Sequence, residues 1–314
     1  MKITIPGGTG QVGTLLARAF VRDGHDVVVL GRTLKPAPWR VVKWDPNPGA
    51  AWTAELDDTD VVINLIGRTV NCRYTPAHRK EILESRIESV RAVAQAIAQA
   101  KRSPAIWLQA STATIYAHAY DVPNDEFTGV LGGNEPGVPE TWRFSIQVAT
   151  AWEKAIDDAA VPGTRKVKLR SAMVMSPDAD GIFDTLLTLV RRGLGGTSAD
   201  GRQFVSWIHE IDFVRAIQFI IDRGLDGVMN LAAPHPLSNR EFMAILRQEW
   251  GTRLGLPAAK WMLEWGAFFL RTESELILKS RKVVPGRLLR DGFQFQYPQW
   301  AAAAHDLCVR AKSA

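Results

Sequence analysis

The chain has 314 residues, of which 46% are hydrophobic and 23% are charged, and these are ordinary values for a water-soluble globular protein. A chain of this length can bury a full core without disulfides or metal, and its size favours one large α/β unit with a smaller lobe. No stretch reaches the roughly 20 unbroken apolar residues of a membrane span, and residues 1–5 lack the pattern of a signal peptide. The two cysteines, Cys72 and Cys308, suit a reducing compartment, so we expect a cytoplasmic protein.

The net charge of +5 is unevenly distributed along the chain. Residues 161–314 hold 21 Lys and Arg against 15 Asp and Glu, and the surplus is densest between positions 279 and 290. Such a cluster is a solvated arginine-rich face, an anion-binding rim or a nucleic-acid patch. No zinc-finger spacing, aromatic RNA-binding motif or basic heptad accompanies it, so we favour the solvated face and expect no nucleic-acid partner. An anionic small-molecule substrate stays open as an alternative.

Short β-branched runs alternate with helical patterns, which is typical of a parallel sheet with crossover helices. Strands are predicted at 3–6, 26–31, 40–43, 61–66, 105–110 and 166–175, and helices at 14–22, 76–100 and 144–160. After residue 176 the pattern becomes irregular, with a further strand at 204–208 and a helix at 211–223. We therefore predict an α/β fold, a Rossmann doubly wound parallel sheet with a smaller C-terminal α/β lobe.

A glycine-rich segment, residues 7–13 (GGTGQVG), lies between the first strand and the first helix. Gly7, Gly10 and Gly13 fit the spacing G-x-x-G-x-x-G, in which the backbone turns tightly and approaches a pyrophosphate without an intervening Cβ. The helix that follows points its N-terminal amides at the phosphates. Because the segment comes directly after an N-terminal strand, it predicts a dinucleotide-binding loop rather than a merely structural turn.

The end of the second strand distinguishes NAD from NADP. An acidic residue at this position would hydrogen-bond the ribose 2′-hydroxyl, but residues 30–33 (LGRT) contain none. The Arg32 guanidinium can instead engage a 2′-phosphate through two hydrogen bonds, although an exposed loop arginine is the alternative interpretation. We predict NADP as the cofactor.

These motifs resemble the extended short-chain dehydrogenase/reductases of the nucleotide-sugar epimerase type. Residues 64–67 (NLIG) and 111–116 (STATIY) are similar to the segment after their fourth strand and to their serine-containing active-site strand. The finer similarity is to an atypical branch, the NAD(P)-dependent epimerase-like proteins with a C-terminal domain of unknown function. It is carried by the segments 85–87 (SRI), 151–153 (AWE), 201–209 (GRQFVSWIH), 284–289 (VPGRLL) and 292–295 (GFQF).

The resemblance implies a domain division and a set of cofactor contacts. Residues 1–168 would form the NADP-binding Rossmann domain, with 204–232 returning to it, and residues 169–314 a C-terminal substrate lobe with a family-specific end at about 250–300. The implied contacts are Gly7, Thr9, Gly10, Gln11, Val12 and Gly13 at the pyrophosphate, Arg32 at the 2′-phosphate, Asp45 at the adenine, Leu65, Ile66 and Gly67 beside the adenine ribose, Ser85 at the cofactor backbone, and Ala110 and Ser111 near the nicotinamide ribose. The six histidines form no recognisable metal motif, so no metal site is predicted.

The chain departs from the catalytic pattern of this superfamily, a Tyr-x-x-x-Lys pair in which the lysine lowers the pKa of the tyrosine. The residues four places after the four tyrosines are His78, Tyr120, Asn124 and Ala301, so none is lysine. Aligning the helix on Glu153 places Ser145 at the tyrosine position and Ala149 at the lysine position. Thr112 keeps a hydroxyl at the serine position. The usual acid–base mechanism is therefore excluded, but hydride transfer is not, because the nicotinamide supplies the hydride.

Thr112 and Tyr116 are the nearest hydroxyls to the expected reaction site, and we take them as candidate catalytic residues. A packing role is the favoured interpretation for Tyr116, which lies four residues after Thr112. His118 and His209 are further candidates. For His118 the competing interpretation is a surface histidine, and for His209 it is one that caps or braces the next helix.

Two functions are compatible with an intact cofactor loop and a missing catalytic pair. The first is an NADP-dependent, epimerase-like oxidoreductase that acts on a small molecule through a non-standard acid. The second is a catalytically silent NADP(H)-binding or redox-sensing protein. The complete C-terminal lobe slightly favours the enzyme.

Overall fold

The computed structural model describes residues 1–47, 49–258 and 278–313. The strands in this part of the chain are β1 (Lys2–Pro6), β2 (Asp26–Gly31), β3 (Arg40–Lys43), β4 (Val61–Asn64), β5 (Ile106–Thr112), β6 (Arg165–Ser171), β7 (Met173–Met175), β8 (Phe204–Val205), β9 (Trp207–His209), β10 (Gly227–Leu231) and β11 (Leu237–Ser238). The helices are α1 (Gln11–Arg22), α2 (Pro76–Gln99), α3 (Glu140–Asp157), α4 (Ile182–Arg191), α5 (Glu210–Asp222), α6 (Asn239–Trp250), α7 (Gly286–Arg290) and α8 (Trp300–Ser313), with 3₁₀ turns at Ala51–Leu56 and Ala113–Ile115.

Seven strands form one parallel sheet in the order β10-β6-β5-β4-β1-β2-β3. The chain starts at β1 in the middle of the sheet, builds outward to β3, and then crosses back to β4 on the other side of β1. The reversal leaves a crevice at the carboxyl ends of β1 and β4, which is where ligands bind in doubly wound sheets. The predicted Rossmann architecture is confirmed.

Both faces of the sheet are covered, because alternate residues of each strand enter different cores. In β2, Val27 and Val29 belong to the core beneath α1 and α5, whereas Val28 and Leu30 belong to the core beneath α2 and α3. This double coverage accounts for the continuous apolar runs in the sequence.

The C-terminal lobe has a core of its own, in which α4, α6 and α8 pack around Phe183, Phe242 and Trp300. Two strands predicted from the sequence, at 166–175 and 204–208, are each divided in the structure. The strand predicted at 166–175 breaks at Ala172, whose N–H bonds the Leu231 carbonyl at 3.0 Å, and β7 then pairs with β9 outside the main sheet. The strand predicted at 204–208 breaks at Ser206, whose hydroxyl donates to a carbonyl of the segment before α7. Tertiary hydrogen bonds thus interrupt runs that appear continuous in the sequence.

A buried ion pair joins the second half of the sheet to α3. The Arg170 guanidinium of β6 donates to both carboxylate oxygens of Glu153 at 2.7 Å, and both side chains are less than a tenth exposed. Ser111 of β5 donates to the same carboxylate at 2.6 Å. The third Arg170 nitrogen donates to the Tyr116 hydroxyl at 2.9 Å, and this hydroxyl donates to Asn230 of β10 at 3.0 Å. The network connects three neighbouring strands to the helix that covers them.

We expect Arg170→Met to lower the free energy of unfolding by about 3–5 kcal/mol, because Glu153 would be left as an unpaired buried charge. Lys154→Met is the matched control on α3, the helix that carries Glu153, since it removes the exposed Lys154–Asp158 pair and should cost at most about 0.5 kcal/mol. Urea denaturation measures both values. Equal losses for the two variants would contradict the assigned role of the network.

Candidate functional site

A groove of about 820 Å³ opens at the carboxyl ends of β1, β2 and β4, and α2 forms its opposite wall. It occupies the crevice created by the reversal of strand order. The predicted cofactor-binding residues that line it are Gly7, Thr9, Gly10, Arg32, Leu65, Ile66, Gly67 and Ser85.

The three glycines of the loop meet different steric demands. Gly7 has a φ of +79°, and a Cβ there would lie 2.7 Å from the Ile66 nitrogen. At Gly13 a Cβ would lie 2.3 Å from the Gly8 Cα, so this glycine lets the helix pack against the loop. At Gly10 the nearest heavy atom to a Cβ is the Gly7 oxygen at 3.9 Å. Gly10 therefore leaves open the space through which a phosphate would approach.

The N-terminus of α1 begins at this open position. Gly10 is the N-cap residue and supplies no side-chain cap, and Thr14 N–H donates to the Gly10 carbonyl at 2.8 Å. The N–H groups of residues 11–13 come before the first helical hydrogen bond, the one donated by Thr14. N–H groups in this position at the start of a helix can bind an anion. The side chains of Gln11 and Val12 lie outside the groove lining, and Val12 packs against the core beneath the sheet.

The tip of β2 forms one end of the groove. A Cβ on Gly31 would lie 2.3 Å from the Thr9 Cγ2, so the loop packs tightly over the strand end. The exposed Arg32 lines the groove immediately beyond it. Trp44, whose N–H donates to the Gly31 carbonyl at 2.8 Å, lines the same region and packs on Trp52 with ring centroids 4.5 Å apart.

Asp45 is engaged in local structure rather than in the groove lining. Its Oδ1 accepts from the backbone and side-chain nitrogens of Asn47 at 2.9 and 2.7 Å, and its carbonyl accepts from the Trp52 indole. The neighbouring Trp44 lines the groove, and Asp45 does not. Sequence reasoning missed this tryptophan, although an aromatic residue directly after the third strand was an available signal.

The turn after β4 is held by buried amides that the sequence analysis did not single out. Asn64 accepts from Ile66 N–H at 3.2 Å and donates to the Gln109 oxygen at 2.9 Å. Leu65 N–H donates to the Pro6 carbonyl at 2.8 Å. These bonds shorten the predicted strand 61–66 to Val61–Asn64 and turn residues 65–67 into the groove.

Ser85 lines the groove from α2 and fixes the chain opposite. Its hydroxyl accepts from Arg68 N–H at 3.0 Å and donates to the Ile82 carbonyl at 3.3 Å. Beside it, a Cβ on Gly67 would lie 3.1 Å from the Arg86 Cζ. Arg86 lines a second, smaller cavity, so Gly67 and Arg86 form a wall that the groove and the cavity share.

The smaller cavity has a volume of about 110 Å³ and lies between α2, α3 and the end of β5. Thr112 lines it, and so do Ser145 and Ala149 one turn apart on α3. Its remaining described lining is Val70, Tyr74, Ile82, Arg86, Thr114, Phe144, Val148, Trp152 and Arg281. Burial lowers the pKa of Arg86 to about 10, which leaves the guanidinium charged at neutral pH.

Ala110 and Ser111 line neither the groove nor the cavity. The Ser111 hydroxyl is only 7% exposed and donates to Glu153, while Ala110 packs against the core beneath α2 and α3. Their side chains support the end of β5 from behind, and Thr112 is the residue of this strand that faces the cavity.

Tyr116 does not border the cavity, which corrects the expectation from its spacing to Thr112. Its side chain is 2% exposed, and its hydroxyl is bonded to Arg170 and Asn230 in the buried network. Burial raises the pKa of the phenol. The 3₁₀ turn at Ala113–Ile115 redirects the chain after Thr112, so Tyr116 enters the core and takes the packing role.

His118 lies on a different groove, of about 840 Å³, beside Trp142 and Tyr120. Its Nδ1 accepts from Ser280 N–H at 2.8 Å, and its ring lies 5.0 Å from that of Trp142. Burial lowers the pKa of the imidazole. His118 is thus hydrogen-bonded rather than a free surface group, and it lines a different groove from the cavity that Thr112 lines.

His209 caps a helix, which confirms the structural interpretation. Its Nδ1 accepts from Ile211 N–H at 3.1 Å at the start of α5, and its Nε2 bonds Asp306 at 3.0 Å. The side chain is fully buried and stacks on Tyr297 with centroids 4.0 Å apart. Burial lowers the pKa of His209, so the neutral imidazole is favoured.

Within residues 1–47, 49–258 and 278–313, no group of three His, Cys, Asp or Glu side chains could hold a metal ion. In the same part of the chain, no helix combines the length and apolar character needed to cross a bilayer. Cys72 is half-buried and Cys308 is buried, and both are free thiols.

Two family models match the chain. Residues 3–232 match the NAD dependent epimerase/dehydratase family. The chain belongs to this family. Residues 258–307 match a domain of unknown function, DUF1731, which confirms the resemblance to epimerase-like proteins with such a C-terminal domain.

Members of the family with full-length similarity come from animals and bacteria. The epimerase family protein SDR39U1 of Homo sapiens is 30% identical over 98% of this chain and 99% of its own length. The epimerase family protein YfhF of Bacillus subtilis is 29% identical over the whole of both chains. The crystal structure of human SDR39U1 contains NADPH and superposes with a TM-score of 0.85 at 28% identity, covering 98% of this chain and 99% of the human one.

We expect Gly13→Ala to destabilise this family member by about 1–3 kcal/mol, because the added Cβ would overlap the Gly8 backbone. Gly10→Ala is the matched control, since its Cβ would enter open space at a φ of −81°, and it should cost less than about 1 kcal/mol. Urea unfolding without added nucleotide measures both. A loss in Gly10→Ala as large as in Gly13→Ala would show that the packing of the loop has been misassigned.

Proposed function

We propose that this chain is an NADP(H)-dependent, epimerase-like oxidoreductase that acts on a small anionic carbonyl or hydroxyl compound. The observation that carries the proposal is the shared wall at Gly67 and Arg86, which sets a dinucleotide-sized groove directly beside a small, mostly apolar cavity that a few polar side chains line. Ligand sites of this kind bring a few polar groups together within mostly apolar walls.

Both the backbone and the side chains of the protein that line the groove are suited to a dinucleotide. The open position at Gly10 and the amides of residues 11–13 would hold the pyrophosphate. Arg32 would pair with a 2′-phosphate, and the Trp44 indole offers the adenine a face on which to stack. The NADPH in human SDR39U1 supports the same cofactor for this chain.

Bound NADP(H) supplies the hydride, and the protein's task is to orient the substrate and manage its proton. Thr112 lines the cavity, and its hydroxyl, which accepts from Thr114 N–H at 3.2 Å, would donate to the substrate oxygen. Arg86 and Arg281 also line this cavity, and their positive charge favours a substrate that bears a carboxylate or phosphate.

We also propose the domain division expected from the sequence. Residues 1–168, with 204–232 returning through β10, would bind the cofactor, and 169–314 would form the substrate lobe. Arg281 supports this division, because it brings a charge from the C-terminal part of the chain into the cavity. The free thiols of Cys72 and Cys308 support a location in the cytoplasm.

Turnover tests the oxidoreductase directly. We expect the purified protein to oxidise NADPH when it is supplied with a panel of small 2-oxo acids and phosphorylated carbonyl compounds, as followed by the loss of reduced-nicotinamide absorbance. Tight NADPH binding without oxidation by any compound would favour the second candidate, a silent NADP(H)-binding protein. The observation that favours this candidate is that Ser145 and Ala149 line the cavity where a Tyr-x-x-x-Lys pair would be placed.

We expect Arg32→Ala to weaken NADPH binding by roughly 1.5–3 kcal/mol, the value of a charge-assisted hydrogen bond, and to leave NADH binding almost unchanged. Arg22→Ala is the matched control, because Arg22 is an exposed arginine at the far end of α1. Isothermal calorimetry measures both nucleotides. Equal affinities of the unmodified protein for NADPH and NADH would contradict the proposed role of Arg32.

We expect Gly10→Val to abolish saturable NADPH binding, because its side chain would fill the phosphate approach without clashing with the protein. Gly10→Ala, with a smaller side chain, should weaken binding less. Nucleotide fluorescence measures binding, and circular dichroism checks the fold of each variant. Wild-type saturation by Gly10→Val would show that the pyrophosphate binds elsewhere.

A further inference from the structure

We propose that Tyr74, from the segment before α2, is the acid–base catalyst of the small cavity. The proposal rests on the proposed function, since it assigns a residue to that reaction. The Tyr74 hydroxyl would take the role of the tyrosine hydroxyl that α3 lacks, although Tyr74 lies in a distant part of the chain.

The Tyr74 hydroxyl lies beside Ser145, the residue of α3 that stands at the position of the missing tyrosine. Its oxygen is 3.4 Å from the Ser145 Oγ, and both residues line the cavity together with Thr112. The Tyr74 ring packs edge-on against Phe144, with centroids 5.1 Å apart. A phenol therefore reaches the Ser145 position from across the cavity.

Local bonds hold the Tyr74 backbone in place. Its carbonyl accepts from the Arg79 Nε at 3.0 Å, and Thr75 caps α2 by accepting from His78 N–H at 3.3 Å. His78 also bonds the Arg73 carbonyl through its ring at 2.7 Å. The tyrosine is 8% exposed, so its orientation is set by packing and not by solvent. A positioned acid of this kind meets the geometric requirement of general acid–base catalysis.

An electrostatic interaction links Tyr74 to Arg86. Arg86 lines the cavity from α2, where its guanidinium donates to the Ile82 and Arg68 carbonyls at 2.9 and 3.1 Å. The negative charge of an ionised Tyr74 favours protonated Arg86, and by reciprocity the Arg86 cation favours the tyrosinate. Arg281 lines the same cavity and donates to the Thr114 hydroxyl at 3.1 Å. Arg79, which lies over Phe144, is paired with Glu140 at 2.6 Å. No carboxylate is found among the described residues that line the cavity.

The proton transfer balances with hydride transfer. As the substrate carbon accepts hydride from the reduced nicotinamide, the carbonyl π bond breaks and its electron pair moves to oxygen. This oxygen takes the proton from the Tyr74 hydroxyl, and the tyrosinate recovers a proton from water. In the oxidative direction the tyrosinate would take the proton of the substrate hydroxyl, and the hydride leaving the carbon would pass to the oxidised nicotinamide.

Titration of the apoprotein tests the electrostatic part without substrate or cofactor. The difference in phenolate absorbance between the unmodified protein and Tyr74→Phe isolates the ionisation of Tyr74. We expect Arg86→Met to move this step to higher pH by about 1–3 units, and the charge-conserving control Arg86→Lys to move it much less. An unchanged step in Arg86→Met would overturn the proposal.

Measurements of turnover test the catalytic role of Tyr74, and this experiment needs no substitution at Arg86. We expect Tyr74→Phe to lower NADPH oxidation by about 10²–10⁴-fold with unchanged NADPH affinity. Tyr120→Phe, which removes a hydroxyl from the groove that contains His118, should leave turnover unchanged. Turnover of Tyr74→Phe within a factor of about two of the unmodified protein would overturn the role of Tyr74 while leaving the proposed function intact. Failure of the unmodified protein to bind NADPH would instead contradict the proposed function, and the titration would still decide the placement of Tyr74 beside Arg86.

Discussion

The ion pair between Arg170 and Glu153 is the interaction on which the cavity depends. Removing two charges from water is costly, and the cost is offset here by two hydrogen bonds between the partners and by further bonds to Ser111 and Tyr116. The pair fixes α3 against β5 and β6. Because Ser145 and Ala149 lie on α3 and Thr112 on β5, this attachment sets the width of the cavity between them.

The two parts of the site are built by different physical means. In the groove, glycines remove side chains so that backbone amides can approach an anion, and Arg32 and Trp44 act only at the outer end. In the cavity, side chains from separate elements supply hydroxyls and positive charge. The groove is therefore suited to one cofactor class, whereas the chemistry of the cavity can change through a few substitutions.

Loss of the usual catalytic pair need not remove an acid from the site. An acid is defined by its position and its electrostatic surroundings, and both can be supplied by another segment. Tyr74 reaches Ser145 from 71 residues away, and Arg86 brings a guanidinium to the cavity where the lysine position holds alanine. The Arg86 guanidinium also lies over Trp152, with its Cζ 4.8 Å from the ring centroid.

The sequence by itself determined the Rossmann sheet, the glycine loop and the absence of a Tyr-x-x-x-Lys pair. These features are local, because strand alternation, glycine spacing and a four-residue interval can be identified without knowing the partners of any residue. Only the tertiary structure decided that Tyr116 is buried, that His209 caps a helix and that Trp44 rather than Asp45 faces the groove. It also brought Tyr74 to Ser145, since the distance between two side chains depends on the order of the strands and the packing of the helices between them.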